Sequence, residues 1–246
     1  MDARSARSNR IGGRFPHRPK RVKQNVRKLR GGVEAPLTRG KMSAEAVNRV
    51  NRPRTIIVDG IWRKAPRFAA LQAMLAARGI ASEQHFYDSS GRTSLEKLGA
   101  ELAERIRADG GAVNVVGFSM GGLVVRAAHL IDPALPIARA AFLNSPHRGS
   151  WMACALPFLP AVREMRPGSD FMQRLTAAEW NIPTLAVWCP GDLMVVPGRS
   201  ARWHRAAITL ACPVPAHVWP AVSKKIQRRV ADFLCGEAVI ESGRRD

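Results

Sequence analysis

The chain has 246 residues, 46% of them apolar and 24% charged; this is enough for one full-sized core and too few for two enzyme domains. Its formal charge of +20 is uneven, since residues 1–54 hold 16 Lys and Arg against 3 Asp and Glu while the remainder holds 23 against 16. No apolar stretch interrupts the basic start and no 18-residue apolar run follows it, so neither a secretory signal nor a membrane-spanning helix is expected, and the expected location is cytoplasmic.

Residues 1–54 are rich in Arg, Gly, Pro and Asn, nearly lack aromatic residues and show no recurring apolar spacing. Such a segment cannot bury enough surface to offset its ordering entropy, and disorder is expected there. Its charge suits weak contact with anionic surfaces or nucleic acid, because Lys and Arg release counterions on such partners. A solvated tail without a partner, or an extension from a wrongly called start codon, is the reading favoured over such contact, because no aromatic platform or recognised nucleic-acid module accompanies the charge.

From residue 55 apolar strand-like runs alternate with amphipathic stretches, the pattern of βαβ units and a parallel sheet. Thr55–Val58 reads as a buried strand, residues 68–78 as a helix and residues 82–87 as a weaker strand. Residues 94–108 place Leu95, Leu98, Leu102 and Ile106 on one helical stripe. Residues 112–116 form a strand, residues 123–131 a helix, and residues 137–143, 183–188 and 208–212 three further strands, with a closing helix over residues 224–234. The expected architecture is a doubly wound, mostly parallel α/β sheet over residues 55–238, interrupted at about 146–181 by a short irregular cap, with a polar tail at 239–246. The cysteines Cys154, Cys189, Cys212 and Cys235 are widely spaced, with no CxxC pair and no His at ligand spacing. Reduced thiols are expected, and no metal or other cofactor.

The chemistry centres on Gly117-Phe118-Ser119-Met120-Gly121-Gly122. A serine hydroxyl is a poor nucleophile unless presented beside a base, with donors waiting for the oxyanion. A Val-rich strand ends just before this G-x-S-x-G run and an apolar helix follows, which is the context of a sharp strand-to-helix turn with Ser119 at its apex. The glycines at 117 and 121 make room for the crowded backbone, Gly122 lets the helix pack close to the sheet, and the Met120 amide points where negative charge would develop.

An acid and then a histidine must follow the serine in this fold. Asp192 lies in a Pro190-Gly191 turn after a strand, at the carboxyl edge of the sheet. His217 lies 25 residues later, in a loop before the last helix. His204 is the competing base, read on an Arg-rich solvated helix, whereas His147 lies too soon after the serine.

The runs Val58-Asp59-Gly60-Ile61, Gly117 to Gly122, Asn144-Ser145-Pro146-His147-Arg148-Gly149-Ser150, Pro167-Gly168-Ser169, Gly191 to Pro197 and His217 together resemble a bacterial-type lipase or esterase of the α/β-hydrolase superfamily. The resemblance covers about residues 55–236 and implies that Ile61 supplies the second oxyanion amide and that residues 145–150 open a substrate-covering region. It departs at Asp59-Gly60, where such lipases usually carry His-Gly. A carboxylate there needs a partner, for which Arg148 and Arg63 are the candidates.

Trp62, Trp151, Met152, Leu156, Phe158, Leu159, Met194, Val195, Val218 and Trp219 supply large apolar surface near these positions. They read either as an acyl-binding cleft or as ordinary cap packing. The expected function is hydrolysis of carboxylic esters, the substrate a small molecule with an apolar acyl group. The alternatives are a thioesterase, amidase or acyltransferase on the same fold, or a non-catalytic protein that binds through its basic tail.

Overall fold

The computed structural model describes residues 52–63 and 66–239; the readings made for the basic segment before residue 52 and for the tail from residue 240 fall outside these residues. Six strands form one parallel sheet: β1 (Arg54–Val58), β2 (Ser82–His85), β3 (Val113–Phe118), β4 (Ile137–Leu143), β5 (Thr184–Trp188) and β6 (Ile208–Ala211), in the order β2-β1-β3-β4-β5-β6. All six residues of β3 are buried, as expected of a central strand covered on both faces, where apolar runs replace alternation. β2 is the half-buried edge.

The helices are α1 (Ala69–Ala76), α2 (Leu95–Arg107), α3 (Met120–Ile131), α4 (Pro160–Glu164), α5 (Asp170–Ala177), α6 (Trp219–Val222) and α7 (Lys224–Cys235). On one face of the sheet, α2 and α3 bury Leu95, Leu98, Leu102, Leu123 and Val124 against β1, β3 and β4. On the other, α1 and α7 bury Leu71, Leu75, Val230 and Leu234 against Ile57, Val116 and Leu143. The Leu stripe of α2 is fully buried, so the 3.6-residue period read from the sequence is the face that meets the core. Serines cap α2, α5 and α7 at Ser94, Ser169 and Ser223, each accepting an amide of its first turn.

Two boundaries differ from expectation for one reason. β3 runs on to Phe118 and α3 starts at Met120, so strand passes to helix through Ser119 alone, and Gly121 and Gly122 are helical residues. The segment at 146–181 is more ordered than an irregular cap, since it holds a 3-10 turn at Trp151–Cys154 together with α4 and α5.

The cap is pinned to α3 by a buried cluster with no signal in the sequence pattern. The Arg126 guanidinium donates to the carbonyls of His147 at 3.0 Å and Leu175 at 2.5 Å and lies over the Trp203 ring; burial lowers its pKa to about 9. His147 stacks on Trp203 at 4.6 Å and meets Phe142 edge-on. Neither of its ring nitrogens has a partner among the described residues. Burial, with the charges of Arg126 and His204 adding to it, holds His147 well below its usual pKa of 6.5. The unfolded chain therefore binds a proton that the folded chain refuses, and stability is retained above about pH 6.5 and lost as pH falls below it. His129 and His85, also lowered by burial, act with the same sign. The expected slope from His147 reaches about 1.4 kcal/mol per pH unit. Melting curves between pH 7.5 and 5 should show it, and His147→Phe, which keeps the stack and removes the titration, should flatten it. An unchanged slope in that variant would remove His147 as the cause.

Candidate active site

The strand order reverses between β1 and β3, so the loops leaving their carboxyl ends part and leave a crevice, the place where open α/β sheets bind ligands. Val58 of β1 pairs with Gly117 of β3, and the segments Asp59–Trp62 and Ser119–Gly122 therefore emerge side by side. Ser119 has φ 52°, a left-handed conformation that a non-glycine residue holds only when its surroundings impose it. Its amide donates to the Leu143 carbonyl at 2.9 Å. A Cβ on Gly121 would lie 2.1 Å from the Val58 carbonyl oxygen, and one on Gly117 would lie 2.5 Å from the Gly122 Cα. Glycine at these places lets the turn close against β1.

Two loops from the far side of the crevice meet Ser119. Asp192 follows β5 and is buried; its Oδ1 accepts the amides of Met194 at 2.7 Å and Val195 at 3.0 Å. Its Oδ2 accepts from His217 Nδ1 at 2.7 Å. In the tautomer that this carboxylate selects, His217 Nε2 accepts from the Ser119 hydroxyl at 2.9 Å. The three side chains chosen from sequence order are thus within hydrogen-bond reach of one another. His204 is exposed in a turn, which corrects its placement on a helix. His129 packs edge-on against Trp180.

Asn144, at the end of β4 with φ 46°, donates to the His217 carbonyl at 2.8 Å and so fixes the histidine loop. Ser150 donates to the Met194 carbonyl at 3.0 Å and accepts the Val196 amide at 2.9 Å, tying the acid loop to the cap. Neither role was legible in the sequence, because each depends on two loops meeting in space.

Ile61 follows β1 and lines the cavity, and Met120 follows Ser119 at the start of α3. Their neighbours are occupied, Gly60 N–H by Asp59 Oδ1 and Trp62 N–H by the Ser89 carbonyl. No acceptor among the described residues takes either the Ile61 or the Met120 N–H. Asp59 accepts the Gly60 amide and neither of these two. Its partner is Arg67, whose guanidinium nitrogen lies 3.6 Å from Oδ1, with Arg63 contributing at longer range. Arg148 is excluded as its partner, since that guanidinium reaches the Arg199 carbonyl instead. Burial raises the Asp59 pKa, opposed by the Gly60 amide and the two arginines.

A cavity of about 330 Å³ opens over Ser119 and His217. Of the apolar residues proposed for its wall, Trp62, Met152, Leu156, Met194, Val195 and Val218 line it. Trp151 and Trp219 do not. Trp151 is 60% exposed at the start of the 3-10 turn, and Trp219 opens α6, whose buried face belongs to Pro220 and Ala221. Phe158 and Leu159 also lie outside the wall. The sequence placed these side chains near the site, but which face of a one-turn element looks inward was decided by packing. Among the described residues, no group of His, Cys, Asp and Glu is arranged to hold a metal ion, and no helix is long and apolar enough to cross a membrane.

No family model matches the chain, and no curated protein matches it. Solved structures do. The mature form of a Bacillus licheniformis lipase superposes with TM-score 0.60 at 16% identity, over 75% of this chain and 92% of that one. A Paleococcus ferrophilus monoacylglycerol lipase gives 0.58 at 15% identity, over 75% and 94%. An extracellular α/β-hydrolase from a Paenibacillus species gives 0.51 at 11% identity, over 76% and 99%. At these identities the likeness is one of fold.

Proposed function

We propose that this chain, which has the α/β-hydrolase fold, is a serine hydrolase that cleaves carboxylic esters through an acyl-enzyme on Ser119. The observation that carries the reading is the unbroken relay Asp192–His217–Ser119, at 2.7 and 2.9 Å, beneath an apolar cavity. Proteins of similar fold that are named lipases add support, and the fold alone would not suffice.

In this mechanism His217 Nε2 takes the Ser119 proton as Oγ attacks the ester carbonyl. The carbonyl electron pair moves onto oxygen, where the amides of Ile61 and Met120 hold the negative charge. Asp192 keeps the imidazole in the required tautomer and stabilises the imidazolium. Collapse of the intermediate expels the alcohol, which takes the proton from His217. A water deprotonated by the same histidine then attacks the acyl-enzyme and releases the acid. The apolar wall stabilises a bound acyl chain by about 0.8 kcal/mol per buried methylene. A cytoplasmic location belongs to the same reading, supported by four cysteines that are all free thiols.

A fluorophosphonate probe tests the proposal directly, since it reacts only with an activated serine. Stoichiometric labelling of the wild-type protein is expected, with the adduct on Ser119 by mass spectrometry and no labelling of Ser119→Ala. A wild-type protein that stays unlabelled would overturn the assignment.

A further inference from the structure

One side chain of the cavity wall has no part in this mechanism. Among the described residues, Arg67 is the only ionisable residue besides His217 that lines the cavity. Its side chain is 14% exposed, and a guanidinium offers five N–H donors. Among the described residues none of these finds a hydrogen-bond acceptor. The nearest carboxylate oxygen, Asp59 Oδ1, stands off at 3.6 Å and already takes the Gly60 amide at 2.7 Å.

The arginine is nevertheless firmly held. Gln227, fully buried on α7, donates to the Arg67 carbonyl at 3.0 Å, and the next residue, Phe68, is buried. The guanidinium lies over the Phe118 ring, 5.3 Å from its centre. Phe118 in turn packs against the His217 ring at 5.2 Å. A cation is thus fixed beside the reacting groups of an otherwise apolar pocket, with its donors unsatisfied. None of its nitrogens is sealed in the core, so all of them are open to a polar group that enters the cavity.

We infer that Arg67 is a specificity-determining residue that binds a carboxylate carried by the substrate, so that the favoured esters are amphipathic: an apolar chain bearing one free carboxylate besides the ester. The inference rests on the proposed hydrolase reading and names its substrate class. The planar guanidinium fork matches a carboxylate in two parallel hydrogen bonds. Asp59 sets the charge that is accepted, because a buried carboxylate behind the arginine leaves room for a single negative charge and repels a dianion such as a phosphate monoester. It also gives the departure at Asp59 a purpose, that of holding the arginine where, among the described residues, no other anion lines the cavity.

The test uses methyl monoesters of dicarboxylic acids from four to eight carbons, each against the length-matched dimethyl ester. Two readouts are taken: kcat/KM for the wild type, and calorimetric Kd for Ser119→Ala, which needs no turnover. The best monoester is expected to exceed its diester at least tenfold in both. Arg67→Met should bring that ratio to near one, and Arg67→Lys should restore part of it. Equal losses on both esters in Arg67→Met would make the Arg67–Asp59 pair purely structural and overturn the inference. So would a missing preference in a protein whose Ser119 takes the fluorophosphonate. Calorimetric preference without labelling would instead spare Arg67 and overturn the hydrolase reading.

Discussion

Ser119→Ala, His217→Ala and the double variant are each expected to lower kcat on a p-nitrophenyl ester by about 10⁵- to 10⁶-fold, and by nearly the same factor. The equality is the informative part. In the relay observed, the imidazole has a chemical task only through the serine hydroxyl it touches at 2.9 Å, so removing the second partner takes away nothing that remains. Asp192→Asn should cost less, about 10⁴-fold, because the amide favours the wrong tautomer without emptying the site. His204→Ala should leave most of the activity, since that ring is exposed in a turn outside the cavity wall. Steady-state rates on freshly folded protein are sufficient for the comparison. A double variant much slower than either single one, or a His204 variant as slow as His217→Ala, would require a different base.

Gly121→Ala is expected to destabilise the fold by about 4 kcal/mol and to remove fluorophosphonate labelling in whatever protein stays folded. Local propensity argues the opposite: in a helix, alanine is favoured over glycine by up to about 1 kcal/mol. The tertiary contact is larger. The new methyl carbon would sit 2.1 Å from the Val58 carbonyl oxygen, a backbone atom of a central strand that cannot swing aside as a side chain would. Relief would come from moving α3 away from β1, which carries Ser119 and the Met120 amide out of register with Ile61. The control is Gly79→Ala. No atom lies within 4 Å of the position of its added Cβ, but its φ of 73° disfavours a side chain, so a cost of only about 1 kcal/mol is expected. Urea denaturation midpoints measure both. A Gly121 variant as stable as the control would show that the turn at Ser119 tolerates more movement than its contacts imply.

The α/β architecture was legible because each buried element repeats a simple period. The Leu stripe of α2 and the apolar runs of β1, β3 and β4 lie within a residue or two of their expected places, and the sheet carries the expected parallel pairing. Ser119, Asp192 and His217 could be chosen because the fold delivers them in a set chain order, at loops that all leave the carboxyl edge. The expectations that changed concern side chains whose surroundings come from distant segments. Trp151 and Trp219 left the cavity wall because a one-turn element has no period from which its inward face could be read, and Asp59 took Arg67 as its partner because the Arg148 guanidinium is held by the Arg199 carbonyl.

By itself the sequence determined the types of the sheet strands and of the helices that cover them, the strand-turn-helix presentation of Ser119 and the chain order of Ser119, Asp192 and His217, since these follow from backbone sterics and periodic burial along the chain. Only the tertiary structure decided the distances within the relay, the Arg126–His147–Trp203 cluster that pins the cap, and the placement of Arg67 in the wall of the cavity that Ser119 also lines. Those depend on which loops meet across the sheet edge, and the packing of the whole core sets that meeting.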